Sequence, residues 1–146
     1  RAESFYDRIS VVKEALAAFN LGGVSAMHDP TEGGVAGGLH ELADASGKGF
    51  EVYEETLTSE PETLEICRFF KIDPLRLISS GSLLITCLPK MTDKILSKLH
   101  SMDIRASSIG KVTASRDRVI VKKSGVHLKL QRPLSDHLWI ALSRRF

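Results

Sequence analysis

The sequence predicts an α/β domain in three layers, α-β-α, with ferredoxin-like topology, and three observations point there. Residues 24–54 read as a strand, a helix and a strand, with Val35, Leu39 and Leu42 on one helical face. Residues 83–112 repeat that order, with Ile95, Leu99 and Met102 on the helix between two apolar strands. Residues 118–123 and 126–130 flank Ser124-Gly125, a two-residue turn of the hairpin kind.

The remaining segments follow in order. Phe5, Ile9, Val12, Leu16 and Phe19 recur at steps of four and three, the stripe of an amphipathic helix, and Gly22-Gly23 stops it. The second helix is expected over residues 31–45, closed by Gly47. Ser59-Glu60-Pro61-Glu62 resembles a helix start leading to Leu64, Cys67 and Phe70, with an end near Lys71. A last helix is expected over residues 135–142. At 146 residues the chain suits one core; residues 1–20 read as a linker and leading helix, and residues 21–146 as the domain.

Composition excludes several classes. The longest apolar run, residues 83–88, is far short of the roughly 20 residues a membrane helix needs, and no secretory pattern opens the chain, so a cytoplasmic location without membrane contact is expected. Cys67 and Cys87 sit in apolar surroundings without metal or redox spacing and read as buried free thiols. The net charge of +2 hides an acidic first half and a basic last third. Arg116, Arg118, Lys122 and Lys123 lie around the hairpin, where charges coat a solvent face, so nucleic-acid binding is disfavoured. His28, His40, His100, His127 and His137 are scattered, no metal site is expected, and only His28, beside Asp29, stands near the segment of interest. Glu54-Glu55 reads as a solvated edge, because neighbouring strand residues face opposite ways.

That segment is Met27-His28-Asp29-Pro30-Thr31-Glu32-Gly33-Gly34, which joins a strand to a helix. Gly33, Gly34, Gly37 and Gly38 each carry a helix-propensity cost of about 1 kcal/mol against alanine, so their presence needs a reason. A bare helix start exposes amide donors and the positive end of the helix dipole, which suit a phosphate. Capping alone would also account for Asp29 as N-cap, Pro30 at the first helical position and Glu32 as capping-box partner. On either reading the glycines sit in a first turn of ordinary geometry, where alanine should be tolerated. Close packing of another segment would explain them as well.

Residues 26–36, followed by Leu39, Glu41, Ala43 and Ser46-Gly47, resemble the aspartate-proline-threonine-any-glycine-glycine segment that opens the second domain of HypE proteins, within the aminoimidazole-ribonucleotide (AIR) synthase-related superfamily. Asp73-Pro74-Leu75 and Ser79-Ser80-Gly81-Ser82-Leu83-Leu84 are similar to the same family's entry into a central strand. The resemblance implies the AIR synthase C-terminal fold and an ATP-dependent enzyme that phosphorylates an amide- or carboxyl-type oxygen, in maturation of hydrogenase or a related metalloenzyme. It implies ATP and Mg2+ held mainly by an amino-terminal domain that this chain lacks, leaving it inactive alone. Nucleotide or phosphate contacts are carried over to Asp29, Thr31, Gly33, Gly34, Ser80 and Gly81, with no catalytic residue assigned. Expected partners are that amino-terminal domain, a second copy of the full-length protein and a maturation protein. HypE proteins carry arginine where Glu32 stands and end in a cysteine that bears the modified group, whereas this chain ends Ser143-Arg144-Arg145-Phe146. A non-catalytic interaction module that retains the fold therefore stays open beside the enzyme.

Overall fold

A computed structural model of the chain describes residue 6 and residues 8–143. The elements run α1 (Val12–Asn20), β1 (Val24–His28), α2 (Gly34–Ser46), β2 (Gly49–Tyr53), α3 (Pro61–Phe70), β3 (Leu84–Cys87), α4 (Thr92–His100), β4 (Gly110–Thr113), β5 (Arg118–Val121), β6 (His127–Lys129) and α5 (His137–Ser143). The α/β class and the order of elements are as expected from the sequence.

The strands divide between two sheets. β1 pairs antiparallel with β3, and the second sheet has the order β4-β2-β5-β6, with β2 antiparallel to β4 and parallel to β5. The small sheet has α1 and α4 against one face, where Ala18, Ile95 and Leu99 are buried with Val24, Met27, Ile85 and Cys87. On the other side α2 buries Ala36, Leu39 and Ala43 with Leu84 of β3, Phe50 and Val52 of β2, Ile120 of β5 and Leu130. Helix α2 thus bridges both sheets, which is why it is the most buried helix. A third cluster joins Cys67 of α3, Ile72 and Ala141 of α5.

Four local expectations change. The stripe of the first helix does not face the core: Ile9, Val12, Leu16 and Phe19 are 44%, 60%, 56% and 68% exposed, and the small Ala18 makes the inward contact instead. Phe5 lies outside the described residues. The second helix starts at Gly34 rather than at residue 31, for a backbone reason given below. Only Gly110–Thr113 of the strand expected over residues 104–112 is paired, although Ile104 and Ile109 still pack inward. Glu54 leaves the expected second strand for a short 3-10 turn, Glu54–Thr56, and pairs with Lys122.

The hairpin forms, but its turn is not the expected two-residue Ser124-Gly125: Gly125 N–H donates to Lys122 O at 2.7 Å and Lys122 N–H to Val126 O at 2.9 Å, so Lys123 and Ser124 are the central residues and Gly125, at φ 81°, follows them as the left-handed third loop residue. Both cysteines are free, Cys67 buried and Cys87 half-buried, and burial pushes the Cys67 thiol up. No helix among the described residues is long and apolar enough to cross a membrane.

Candidate functional site

The segment between β1 and α2 owes its shape to two consecutive glycines in the left-handed region. Gly33 has φ 77° and Gly34 has φ 61°, so the chain cannot coil as a right-handed helix ahead of Gly34, where α2 begins. This overturns the expected capping arrangement. Gly33 is the N-cap, with no side-chain cap, while Asp29, Pro30 and Glu32 lie ahead of the helix. It also overturns the expectation of alanine-compatible geometry at Gly33 and Gly34.

What lies against these glycines explains them. A Cβ on Gly34 would sit 2.3 Å from Leu77 O and 2.8 Å from Leu75 O, closer than real atoms approach. On Gly38 it would meet Pro30 Cβ at 2.8 Å, Leu84 Cδ1 at 3.0 Å and His28 Cδ2 at 3.1 Å. The bare face of α2 therefore receives the segment 75–77 at its start and the end of the small sheet one turn later. Pro30 is fully buried in that contact.

The same packing joins the two sequence motifs. Asp73 accepts a hydrogen bond from Leu75 N–H at 2.9 Å, which tightens the Pro74–Arg76 turn and presents its carbonyls to Gly34. Ser79 N–H then donates to Thr31 O at 3.4 Å. Asp29, Thr31, Ser80 and Gly81 are all exposed, so the loops that carry them form one joined surface. Gly81, with φ 92°, faces Arg8 O at a Cβ distance of 3.2 Å.

Gly33 and Gly34 belong to the inner side of that surface. The amide of Gly33 donates to Asp136 Oδ2 at 2.7 Å in a buried contact, and that of Gly34 to Thr31 O at 3.0 Å. Asp136 is 4% exposed, and its other oxygen accepts from Leu138 N–H at 2.7 Å. One carboxylate thus sits at the starts of both α2 and α5, where the dipole of each favours negative charge. The next residue, His137, accepts from Asp73 N–H through Nδ1 at 2.9 Å. Asp136 and His137 therefore tie the terminal segment to both loops. Sequence reasoning missed them: an aspartate before a helix signals a local cap, but nothing local signals a partner 103 residues away.

Beside the loops, His28 Nε2 lies 2.5 Å from Glu41 Oε2. Further along α2, His40 is buried and two-sided: Nε2–H donates to Leu130 O at 3.0 Å, so Nδ1 accepts from Arg118 Nη1 at 2.8 Å. Burial lowers its pKa, which agrees with a neutral ring. Arg118 is accordingly half-buried and does not merely coat the hairpin. Among the described residues no group of three or more His, Cys, Asp or Glu side chains is placed to hold a metal ion.

The family "AIR synthase related protein, C-terminal domain" matches residues 5–122. Carbamoyl dehydratase HypE of Rhizobium leguminosarum bv. viciae is 36% identical over 93 residues, 62% of this chain and 27% of that protein. The Escherichia coli (strain K12) protein of the same name is 31% identical over 121 residues, 82% of this chain and 36% of that protein. Among solved structures, a HypE–HypF complex superposes with a TM-score of 0.77 at 30% identity, over 84% of this chain and 41% of the other. The hydrogenase maturation protein HypE in complex with ATP gives 0.70 at 25% identity, over 79% and 37%. The chain spans between about a quarter and two fifths of the length of these relatives.

Proposed function

Since the chain belongs to the AIR synthase related C-terminal domain family, we propose that it is the second domain of an ATP-dependent enzyme of the HypE kind, acting in maturation of hydrogenase or a related metalloenzyme. In this reading ATP gives its γ-phosphoryl group to an amide- or carboxyl-type oxygen and leaves as ADP. The single observation that carries it is the joining of the two motif loops into one exposed surface, with Asp29 and Thr31 on one and Ser80 and Gly81 on the other. Phosphoryl transfer is mostly positioning and charge neutralisation; here hydroxyls at Thr31 and Ser80 orient phosphate oxygens, and Gly81 lets backbone approach them. Gly33 and Gly34 serve by shaping the loop, because their own amides already have partners.

The acidic ligands for Mg2+ and the adenine contacts belong to an amino-terminal domain that packs on this surface, in keeping with the two fifths of a relative's length that the chain spans. The reading brings with it a cytoplasmic location, a dimer of the full-length protein and a maturation protein as partner; a relative's complex with HypF supports the last. The second reading, a non-catalytic module, is favoured by Asp136, whose carboxylate already occupies the start of α2 where a phosphate would otherwise sit.

Calorimetric titration of ATP into the full-length protein separates the two. For the enzyme, Thr31→Val weakens ATP binding by about tenfold, the loss of one hydrogen bond to a charged group, and Glu32→Arg strengthens it. Residues 1–146 alone bind ATP weakly. Unchanged affinity in both variants, with folding intact, sinks the enzyme reading of this surface.

A further inference from the structure

Away from the loops, the far half of α2 and the last two strands enclose an open groove with a cavity volume of about 510 Å³. The groove's lining residue on α2, His40, lies six residues along the helix from Gly34, about 9 Å at 1.5 Å per residue, and none of Asp29, Thr31, Ser80 and Gly81 lines the groove, so it is distinct from the loop surface. Arg116, Arg118, Lys129 and Arg132 line it, with Asp117 the one carboxylate in the lining. β6 is the edge strand of its sheet and is exposed along its whole length, so nothing among the described residues closes that side.

The cations are not equivalent. Arg118 and Arg132 both pair with Asp44, so two guanidinium groups share one carboxylate. Arg118 is also gripped by the buried His40, which accepts from Nη1 while donating to the backbone at Leu130. That ring is 2% exposed and packs edge-on against Phe50 of the core, so it cannot swing away without breaking that contact. The guanidinium plane of Arg118 is therefore set in place before any ligand arrives, which removes most of the ordering cost that a free surface arginine would bear. Arg116 and Lys129 make no ion pair among the described residues. Four cations against two carboxylates, Asp44 and Asp117, leave the groove with positive charge in excess.

We propose that this groove binds a compact anion of the phosphate class carrying at least two negative charges, with Arg116 and Lys129 as the recruiting cations and Arg118 and Arg132 as the preset fork. The size of the groove is in the range of small-molecule sites. A planar fork beside cations without an ion pair matches the several oxygens of a phosphate ester or pyrophosphate better than a single carboxylate. The inference goes beyond the proposed function and does not rest on it.

The test uses the protein in an NMR titration with inorganic pyrophosphate at fixed ionic strength, against citrate and a single-stranded oligonucleotide. Expected is saturable one-to-one binding, with shifts at Arg116, Arg118, Lys129 and Arg132, weakened at least about tenfold in Arg116→Gln/Lys129→Gln. Those two side chains have no ion pair to lose, so an unchanged spectrum elsewhere verifies folding. Citrate bound as tightly as pyrophosphate overturns the phosphate class. Non-saturable shifts, equal affinity in the double variant, or binding of the oligonucleotide alone would each overturn the site. In the full-length protein the double variant keeps its ATP affinity, so failure here and failure of the loop-surface reading are told apart.

Discussion

Replacing Gly34 with alanine measures how much of the loop's geometry is set by packing rather than by a ligand. Its φ of 61° costs an L-residue about 1–2 kcal/mol. The added Cβ must then displace the backbone carbonyls of Leu77 and Leu75, at 2.3 and 2.8 Å, and overpacking of this sort costs about 1–3 kcal/mol. Gly47 supplies the control, because its φ of 64° is nearly the same but its Cβ would meet nothing within 4 Å. Entropy lost by the unfolded chain favours alanine at both sites and cancels in the comparison. Gly34→Ala should therefore be less stable than Gly47→Ala by about 1–3 kcal/mol, read as the difference in urea midpoints at equal m-value. Gly33→Ala, whose nearest neighbour is Pro133 Cβ at 3.4 Å, should fall close to Gly47→Ala. If Gly34→Ala lies within about 0.5 kcal/mol of the control, a distance inside ordinary surface scatter, the segment 75–77 does not press on α2 as described.

Asp136→Asn keeps one acceptor but loses the charge shared by Gly33 and Leu138, and should cost about 1–3 kcal/mol, with faster hydrogen exchange at the Gly33 amide; unchanged exchange would show that the contact is not made in solution. The buried His40 has its pKa lowered chiefly by burial, with Arg118 and Arg132 adding to this and the hydrogen bond to Leu130 and the charge of Asp44 opposing it. Its contribution is thus full above the ordinary value of about 6.5 and is lost as pH falls through the lowered folded value, because the unfolded chain takes up a proton that the folded ring resists. Urea midpoints of the parent should fall over that window more steeply than those of His40→Gln; parallel profiles would refute it. Asp44 is held below the usual carboxylate range first by its hydrogen bond from Arg118, so its contribution is present above the unfolded value and lost as pH falls through the folded one. Asp44→Asn should flatten the acid limb of the stability profile, and an unchanged limb would show that the carboxylate gains nothing from the two arginines.

The local order of elements was determined by the sequence itself. Apolar periodicity located α2, α4 and the strands, because a helix or strand must bury one face whatever lies opposite, and Gly125 marked the place of the hairpin through its backbone preference, though not the turn's exact residues. The aspartate-proline-threonine segment was legible from its glycines, and it and the serine-serine-glycine motif from their resemblance to the family. Their meeting was not. That Ser79 reaches Thr31, that Leu77 O excludes a side chain at Gly34, and that Asp136 occupies the Gly33 amide are matters of contact between segments far apart in the chain. The crowding at Gly34 was likewise not legible: glycine permits the left-handed region at both positions, but the close approach of the 75–77 backbone is visible only in the packed structure. The exposed stripe of α1 makes the opposite point. Its spacing is that of a buried face, yet Ala18 is the residue turned inward, because periodicity shows that a face is apolar and only tertiary packing decides whether this chain covers it.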